Sequence, residues 1–374
     1  MSENKVKVGI IGCGNISRQY CQGMGLFPIL EIVACADIEI DRAKERAEEF
    51  NIPKTCSPEE LLADPEIQIV VNLTIPAAHA EVNTAALNAG KHAYCEKPFA
   101  IYREDGQKVL ALAKEKGLMV GCAPETFMGG GIQTCRKLID DGWIGQPIAA
   151  SAFMMGHGPE GWHPNPDFFY QVGGGPMFDM GPYYLTALVN LLGPVKSISA
   201  MAQSSFAERT ISNPENRFGE KIPVSVPTHV SGNLGFESGA VGTLIVSFDV
   251  WGSQLPRIEI YGSEGTIAVP DPNTFGGPVY IKKASYDMRN RTDWEEVPLT
   301  HNPNVKRGIG VADMAYALNS GRAHRVSGQL AYHVLDLMQS FYDSSDQAKQ
   351  LEVDSTCDRP AALPVGLMPG TLDR

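Results

Sequence analysis

Basic side chains are scarce in this 374-residue chain: 31 Lys and Arg stand against 43 Asp and Glu, a formal net charge of -12. Nucleic acid is bound by clustered cations, so it is excluded as a partner. No apolar run approaches the roughly 18 residues of a membrane-spanning helix, and no membrane association is expected. The eight cysteines form no Cys-x-x-Cys pair and no cysteine–histidine cluster at zinc spacing, so no metal site is expected. Scattered thiols without a disulfide framework suit a reducing compartment. The opening Met1-Ser2-Glu3-Asn4-Lys5 has no apolar stretch of a secretory signal, and a cytoplasmic location is expected.

What is present is an ordinary globular balance, 43% apolar and 20% charged. A chain of this length usually divides into two domains, each with its own core. The first third alternates two patterns. Apolar runs at 6–11, 30–37, 67–75, 92–95 and 118–122 read as strands, and residues 41–50, 79–88 and 103–116 read as helices. Ser57-Pro58-Glu59-Glu60 is a helix start, with Ser57 as N-cap and Glu60 completing a capping box. Strands separated by helices argue for a parallel, doubly wound sheet whose strand C-termini share one edge, where ligands bind. Gly12, Thr74, Lys97 and Cys122 all fall near such ends.

Gly12-Cys13-Gly14-Asn15-Ile16-Ser17 follows the first strand and opens a helix, with Ser17 where the dinucleotide fingerprint has its third glycine or alanine. Gly12 permits the tight turn, Gly14 lets backbone approach a pyrophosphate, and a small Ser17 lets helix pack on strand. Asp37 ends the next strand, placed to take both ribose hydroxyls of NAD and to repel the extra phosphate of NADP. Arg42 lies close enough in sequence to accept that phosphate, so NADP is disfavoured rather than excluded.

Beyond Cys122 the rhythm changes. A helix over 132–141 is followed by strand-like runs at 147–155, 195–202, 228–236, 240–248, 257–261, 266–269 and 279–282. Glu237-Ser238-Gly239 and Gly262-Ser263-Glu264-Gly265 are hairpin connections. Strands without intervening helices argue for a large, mostly antiparallel open sheet, covered on one face by helices over 183–192 and 329–342. The expected architecture is therefore an α/β dinucleotide-binding domain over residues 1–124 and an α+β domain over 125–374, the second binding substrate and mediating self-association. His229 and His333 sit in apolar patterns and read as core histidines.

The layout resembles the glucose–fructose oxidoreductase/inositol dehydrogenase (Gfo/Idh/MocA) family. The motifs that carry the match are Gly12-Cys13-Gly14, Thr74-Ile75-Pro76 with His79, Cys95-Glu96-Lys97-Pro98, and Gly174-Gly175 followed by Asp179-x-Gly181. The resemblance implies a Rossmann-type first domain, a cis bond before Pro98, and a homo-oligomer formed through the second domain's sheet. It also implies NAD- or NADP-linked oxidation of a sugar, glycoside or cyclitol, with Lys97 and Asp179 lining nicotinamide and substrate. The expected cofactor set is Gly12, Gly14, Asn15, Ile16, Asp37, Thr74, His79, Glu96 and Lys97. Many members carry histidine where this chain has Tyr183, in Asp179-Met180-Gly181-Pro182-Tyr183. Tyrosine there matches the glucose–fructose oxidoreductase and dihydrodiol dehydrogenase branches.

Tyr183 is accordingly the proton-transfer candidate, with Tyr184 the alternative if the register slips. An unperturbed lysine (~10.4) or tyrosine (~10) is too weak an acid; burial and a neighbouring oxidised nicotinamide would lower the lysine, and a nearby lysine ammonium would lower the tyrosine. Lys97 polarises the alcohol oxygen while Tyr183 exchanges its proton, and the two roles can be exchanged; Asp179 hydrogen-bonds the substrate. The Gly-, Pro- and aromatic-rich stretch 156–170 offers Trp162 and His163 to a sugar, or is a Pro-stiffened surface loop. Glu125 and Phe127 follow the fifth strand and are expected to reach substrate. Two rival readings remain: an enzyme with tightly bound NAD using transient oxidation for glycoside cleavage or elimination, and a non-catalytic nucleotide sensor on the same fold.

Overall fold

The computed structural model describes residues 5–286 and 292–373; residues 1–4, on which the absence of a secretory signal was argued, lie outside them. The chain forms two compact units. One comprises Met1–Gln133, Thr300–Tyr332 and Pro360–Arg374, the other Thr134–Leu299 and His333–Arg359. Two late segments assigned by sequence to the second domain thus return to the first unit. Local pattern does not reveal this, because tertiary packing decides it. On the first helix, a Cβ on Gly23 would lie 1.7 Å from the carbonyl oxygen of Arg307, so glycine is what admits the returning backbone.

The first unit is built on six parallel strands: β1 (Val6–Ile11), β2 (Leu30–Ala36), β3 (Thr55–Cys56), β4 (Ile69–Asn72), β5 (His92–Cys95) and β6 (Val120–Cys122). Their order is β3-β2-β1-β4-β5-β6, all neighbours parallel. β4 is buried along its whole length, as a near-continuous β-branched run covered on both faces should be. The two-residue edge strand β3 is too short for any periodicity to announce. Between the strands run α1 (Asn15–Met24), α2 (Ile40–Phe50), α3 (Pro58–Ala63), α4 (His79–Asn88) and α5 (Arg103–Lys116). α3 starts with the expected capping box: Glu60 N–H donates to Ser57 Oγ at 3.2 Å and Ser57 N–H to Glu60 Oε2 at 2.9 Å. α5 ends at Gly117 in the left-handed conformation, where glycine carries no steric penalty. α6 (Gly130–Asp140) leads out of this unit.

The second unit carries a nine-stranded sheet. Its strands are β7 (Pro147–Met155), β8 (Val195–Gln203), β11 (His229–Phe236), β12 (Val241–Ser247), β13 (Ile258–Gly262), β14 (Gly265–Val269), β15 (Val279–Lys283), β16 (Glu295–Val297) and β17 (Leu351–Glu352). A separate small ribbon pairs β9 (Glu208–Thr210) with β10 (Lys221–Pro223). The large sheet runs β16-β15-β14-β13-β7-β12-β11-β8-β17. Both expected hairpins form, β11–β12 and β13–β14. Every neighbour is antiparallel except β7 and β12, which pair in parallel across a connection of some 85 residues between Met155 and Val241. α7 (Gly175–Asp179) and the wholly buried α8 (Gly181–Leu192) precede β8. α9 (Ile309–Ser320) belongs to the first unit, and α10 (Gly328–Gln347) follows it. Among the described residues no helix is long and apolar enough to cross a membrane.

Candidate active site

Parallel strands put every carboxyl end of the first sheet on one edge, and the motif residues gather there. Gly12 leaves β1 at φ +100°, and an added Cβ would come within 2.6 Å of the Leu73 backbone. Only glycine tolerates both the angle and the approach. Gly14 differs: nothing lies within 4 Å of the position its Cβ would take. No contact within the protein demands glycine there, which leaves room for a ligand against the backbone at the start of α1. Asn15 is exposed and Ile16 half-buried on that helix's first turn. Ser17 is fully buried; its hydroxyl donates to Gly14 O at 2.6 Å and accepts from Arg46 Nε at 2.8 Å.

Asp37, 8% exposed at the end of β2, holds the glycine loop. Its Oδ2 accepts the Cys13 N–H at 2.7 Å and its Oδ1 the Glu39 N–H at 2.9 Å. Each oxygen keeps lone-pair capacity for a further donor. This donor and acceptor set fits the pyrophosphate and ribose of a dinucleotide: a free helix start for the phosphates and an acid for ribose hydroxyls.

At the end of β4, Asn72 Oδ1 accepts both the Thr74 hydroxyl, at 2.6 Å, and its N–H, at 3.2 Å. His79 faces two carbonyl oxygens, Nδ1 to Pro98 O at 2.6 Å and Nε2 to Thr74 O at 3.0 Å. It therefore joins the loop after β4 to the loop after Lys97. Burial pushes its pKa down against the pull of those two carbonyls. Lys97 follows β5 directly, is half-buried, and precedes a cis Lys97–Pro98 bond.

Four of the residues expected to make contacts are buried. His79, Glu125 and Phe127 are 0%, 0% and 1% exposed, and Glu96 is 7% exposed. His79 has both ring nitrogens committed internally. Glu125 accepts from the Tyr94 hydroxyl and the Gly308 N–H, each at 2.7 Å. Glu96 accepts from the Tyr20 hydroxyl at 2.8 Å and the Lys97 N–H at 3.0 Å. Phe127 is a core aromatic in a short 3-10 turn. The three polar side chains are engaged in hydrogen bonds inside the first unit, where they hold the loops after β4, β5 and β6.

In the second unit, Asp179 closes α7 and Tyr183 lies in the first turn of α8. Asp179 is half-buried and Tyr183 is 4% exposed. Tyr184, the alternative, is fully buried, and burial raises its hydroxyl pKa well above the usual tyrosine value. Trp162 is 68% exposed. His163 packs edge-on against Trp162, Phe168 and Phe169, with centroids 5.0–5.4 Å apart. Burial lowers the His163 pKa, and the Asp179 carboxylate opposes that shift.

The loop over 156–170 is tied down by a cluster that sequence reasoning missed. Arg209, 4% exposed, donates through Nε to Glu160 Oε1 at 2.9 Å and through Nη1 to Asp249 Oδ1 at 2.7 Å. Its Nη2 reaches His157 O at 2.6 Å. The Tyr170 hydroxyl donates to Glu160 Oε2, and the Thr228 hydroxyl to Asp249 Oδ2 at 2.7 Å. Phe169, Tyr170, Ile211, Ile222 and Phe248 form the apolar core beneath. The signal available in sequence was weak: Arg209 sits on the short strand β9, in a segment of mixed composition that also carries Arg217 and Lys221.

Comparison with known proteins agrees with this geometry. Residues 6–123 match the family model described as "Oxidoreductase family, NAD-binding Rossmann fold", and residues 132–268 match the "GFO/IDH/MocA C-terminal domain". Together they span about two thirds of the chain. A 1,5-anhydro-D-fructose reductase of Ensifer adhaerens is 26% identical over 299 residues, covering 78% of this chain and 82% of that protein. A levoglucosan dehydrogenase of Pseudarthrobacter phenanthrenivorans is 26% identical over 289 residues, covering 70% and 73%. Among solved structures, a levoglucosan dehydrogenase in complex with NADH superposes with a TM-score of 0.80 at 22% identity, over 94% of this chain and all of that one; at that identity the likeness concerns the fold. A nucleotide-binding sheet with a glycine loop, followed by the family's own second domain, leaves one assignment: the chain belongs to the Gfo/Idh/MocA family of oxidoreductases.

Proposed function

We propose that the protein is an NAD-dependent dehydrogenase that oxidises a secondary alcohol of a sugar, glycoside or cyclitol. The observation that carries the reading is Lys97 at the carboxyl end of β5, on the same sheet edge as the Gly12–Gly14 loop and Asp37. A cation ending a buried strand beside a nucleotide loop is costly unless it serves chemistry. The names of the two relatives support the substrate class. Asp37 favours NAD through its charge, which opposes a 2′-phosphate.

Gly12, Gly14, Asn15, Ile16, Asp37 and Thr74 hold the dinucleotide, which when bound supplies the hydride acceptor. Lys97 polarises the substrate hydroxyl oxygen and makes its proton easier to remove. The phenolate form of Tyr183 takes that proton and becomes the neutral phenol, and Asp179 accepts a hydrogen bond from a neighbouring substrate hydroxyl. Trp162 offers an indole face to the C–H surface of a sugar ring, with His163 beside it. The exposed apolar side chains Val241 on β12 and Met201 on β8, which the register puts on one face, support self-association through the sheet.

The test is a panel of sugars, glycosides and inositols with NAD, followed by NADH absorbance. Steady NADH formation with at least one member, abolished in Tyr183→Phe, supports the reading. Product formation without net NADH points instead to a transient oxidation. NAD binding with no turnover of any kind defeats the dehydrogenase reading.

A further inference from the structure

Behind Lys97 lies a buried cluster that the proposed chemistry does not use. Tyr20 on α1, Tyr94 and Glu96 at β5, Glu125 after β6 and Gly308 before α9 are joined in one hydrogen-bonded chain, with Arg307 beside it. The Tyr94 hydroxyl and the Gly308 N–H each reach Glu125 at 2.7 Å, through Oε2 and Oε1 respectively. The Tyr20 hydroxyl lies 2.8 Å from Glu96 Oε1 and 3.4 Å from Glu125 Oε2. Glu96 Oε2 takes the Lys97 N–H at 3.0 Å. Arg307 Nη1 stands 3.6 Å from Glu96 Oε1, and its Nε donates to Gln19 at 3.2 Å.

The protons in this chain can be counted. Tyr20 has a single hydroxyl proton and two carboxylates within reach, and the shorter contact gives it to Glu96. If Glu125 were ionised, its Oε2 would face a lone pair of the Tyr20 oxygen, and two carboxylates would share one nearby guanidinium in a core that excludes water. A proton on Glu125 Oε2 removes both conflicts. Tyr94 then donates to Glu125, Glu125 to Tyr20, and Tyr20 to Glu96, so that each link has one donor and one acceptor. One negative charge on Glu96 remains opposite one positive charge on Arg307.

We propose that Glu125 is held protonated in the folded protein and that Tyr20, Glu125 and Arg307 act as positioning residues for Lys97, through the Glu96 carboxylate that holds the Lys97 backbone. The functional half of this rests on the role of Lys97 proposed above; the protonation does not. The charged and titratable groups facing Glu125 are consistent with it. Burial pushes the Glu125 carboxyl up; Glu96 adds to that shift and Arg307 opposes it. Tyr20 and Tyr94 are themselves pushed up by burial and by the two carboxyls. Cys122 on β6 is likewise held as the thiol by burial and the neighbouring Cys95. Neither tyrosine nor the Cys122 thiol is therefore a base able to take the Glu125 proton near neutral pH.

The experiment uses infrared spectroscopy of the full chain in deuterated buffer at neutral pH. A buried protonated carboxyl gives a C=O stretch above the amide band. That band is expected in the wild type, lost in Glu125→Gln, and retained in Glu96→Gln. Its absence in the wild type, or its survival in Glu125→Gln, overturns the proposal. Glutamine keeps the links towards the Lys97 loop, since its amide group donates to Tyr20 while its oxygen accepts from Gly308; only Tyr94 changes role, its hydroxyl oxygen accepting from the amide's second N–H. Glu125→Gln is therefore expected to keep kcat within about twofold, whereas Tyr20→Phe breaks the chain and lowers kcat about tenfold with NADH affinity unchanged. Equal losses in both variants, with the infrared pattern as expected, would overturn the positioning role. If no sugar is turned over by the wild type, the function proposed above fails while the infrared result still decides the protonation.

Discussion

Asp37 and Cys13 are joined at 2.7 Å, carboxylate to backbone N–H, at the point where the glycine loop leaves β1. The acid expected to read the ribose is therefore also the brace of the loop that meets the phosphates. These two roles separate in a variant. Asp37→Ala leaves a buried Cys13 N–H without its acceptor, at a cost of about 1–3 kcal/mol, and weakens both dinucleotides alike. Loss of the carboxylate also removes the acceptor for the NAD ribose hydroxyls and the repulsion of the NADP phosphate, and both effects move the ratio towards NADP. The expected result is a fall in affinity for NAD together with a change of about tenfold or more in the NAD/NADP ratio, equivalent to ~1.4 kcal/mol. Fluorescence titration with both cofactors checks it; an unchanged ratio removes Asp37 as the discriminator.

Lys97→Met keeps the length of the side chain and deletes the ammonium. The backbone contact to Glu96 does not involve the side chain, so the loop should keep its shape. Activity on whichever sugar the panel identifies is expected to fall by about 10²–10⁴, the span of a positioned acid–base group. NADH affinity should move by less than about threefold. A variant that loses cofactor binding and activity in the same proportion would assign Lys97 to the cofactor instead.

The Arg209 cluster carries a prediction about stability. One guanidinium serves two carboxylates at 5% and 8% side-chain exposure. Asp249 accepts from Arg209 and the Thr228 hydroxyl; Glu160 accepts from Arg209 and Tyr170. Arg209→Met leaves two buried acids facing each other without a cation, and is expected to cost about 3–5 kcal/mol in urea unfolding. Trp162 rides on the loop so anchored, so substrate KM should rise in any Arg209 variant that still folds, for instance Arg209→Lys. A stability change below about 1 kcal/mol in Arg209→Met would show that water reaches the cluster.

Some of this was legible in the sequence because the determinants are local. The Ser57–Glu60 box, the Gly117 stop, the Glu237-Ser238-Gly239 and Gly262–Gly265 hairpins and the Gly12 turn each depend on residues a few positions apart. The parts that were not legible depend on distance. Gly23 meets Arg307 across 284 positions, the parallel β7–β12 pair joins strands some 85 residues apart, and Gly308 donates to Glu125 from 183 positions away. Glu125 shows the consequence most clearly. Its place after β6 was readable, but the direction of its carboxylate is set by Tyr94 and Gly308, and neither lies near it in the chain.

His333 supplies the pH dependence of the second unit. It is fully buried on α10; its Nε2 accepts the Val195 N–H at 3.1 Å, and Nδ1 pairs with the Ser355 hydroxyl at 2.9 Å. Acceptance at Nε2 requires the neutral ring, and burial lowers the pKa from 6.5 to about 4. The unfolded chain therefore binds more protons than the folded one between these values. Stability from this group is complete above about pH 6.5 and is lost as pH falls towards 4, by about 3 kcal/mol in all. His324 in the first unit, also held at about 4 by burial, adds a similar slope, so one substitution should remove only part of it. His333→Gln can accept from Val195 through its amide oxygen and donate to Ser355 through its nitrogen without titrating. Urea unfolding between about pH 7.5 and about pH 4.5 should show a shallower acid-side loss in the variant. An identical slope in both proteins would mean that His333 titrates alike in the folded and unfolded states, and that the acid sensitivity arises elsewhere.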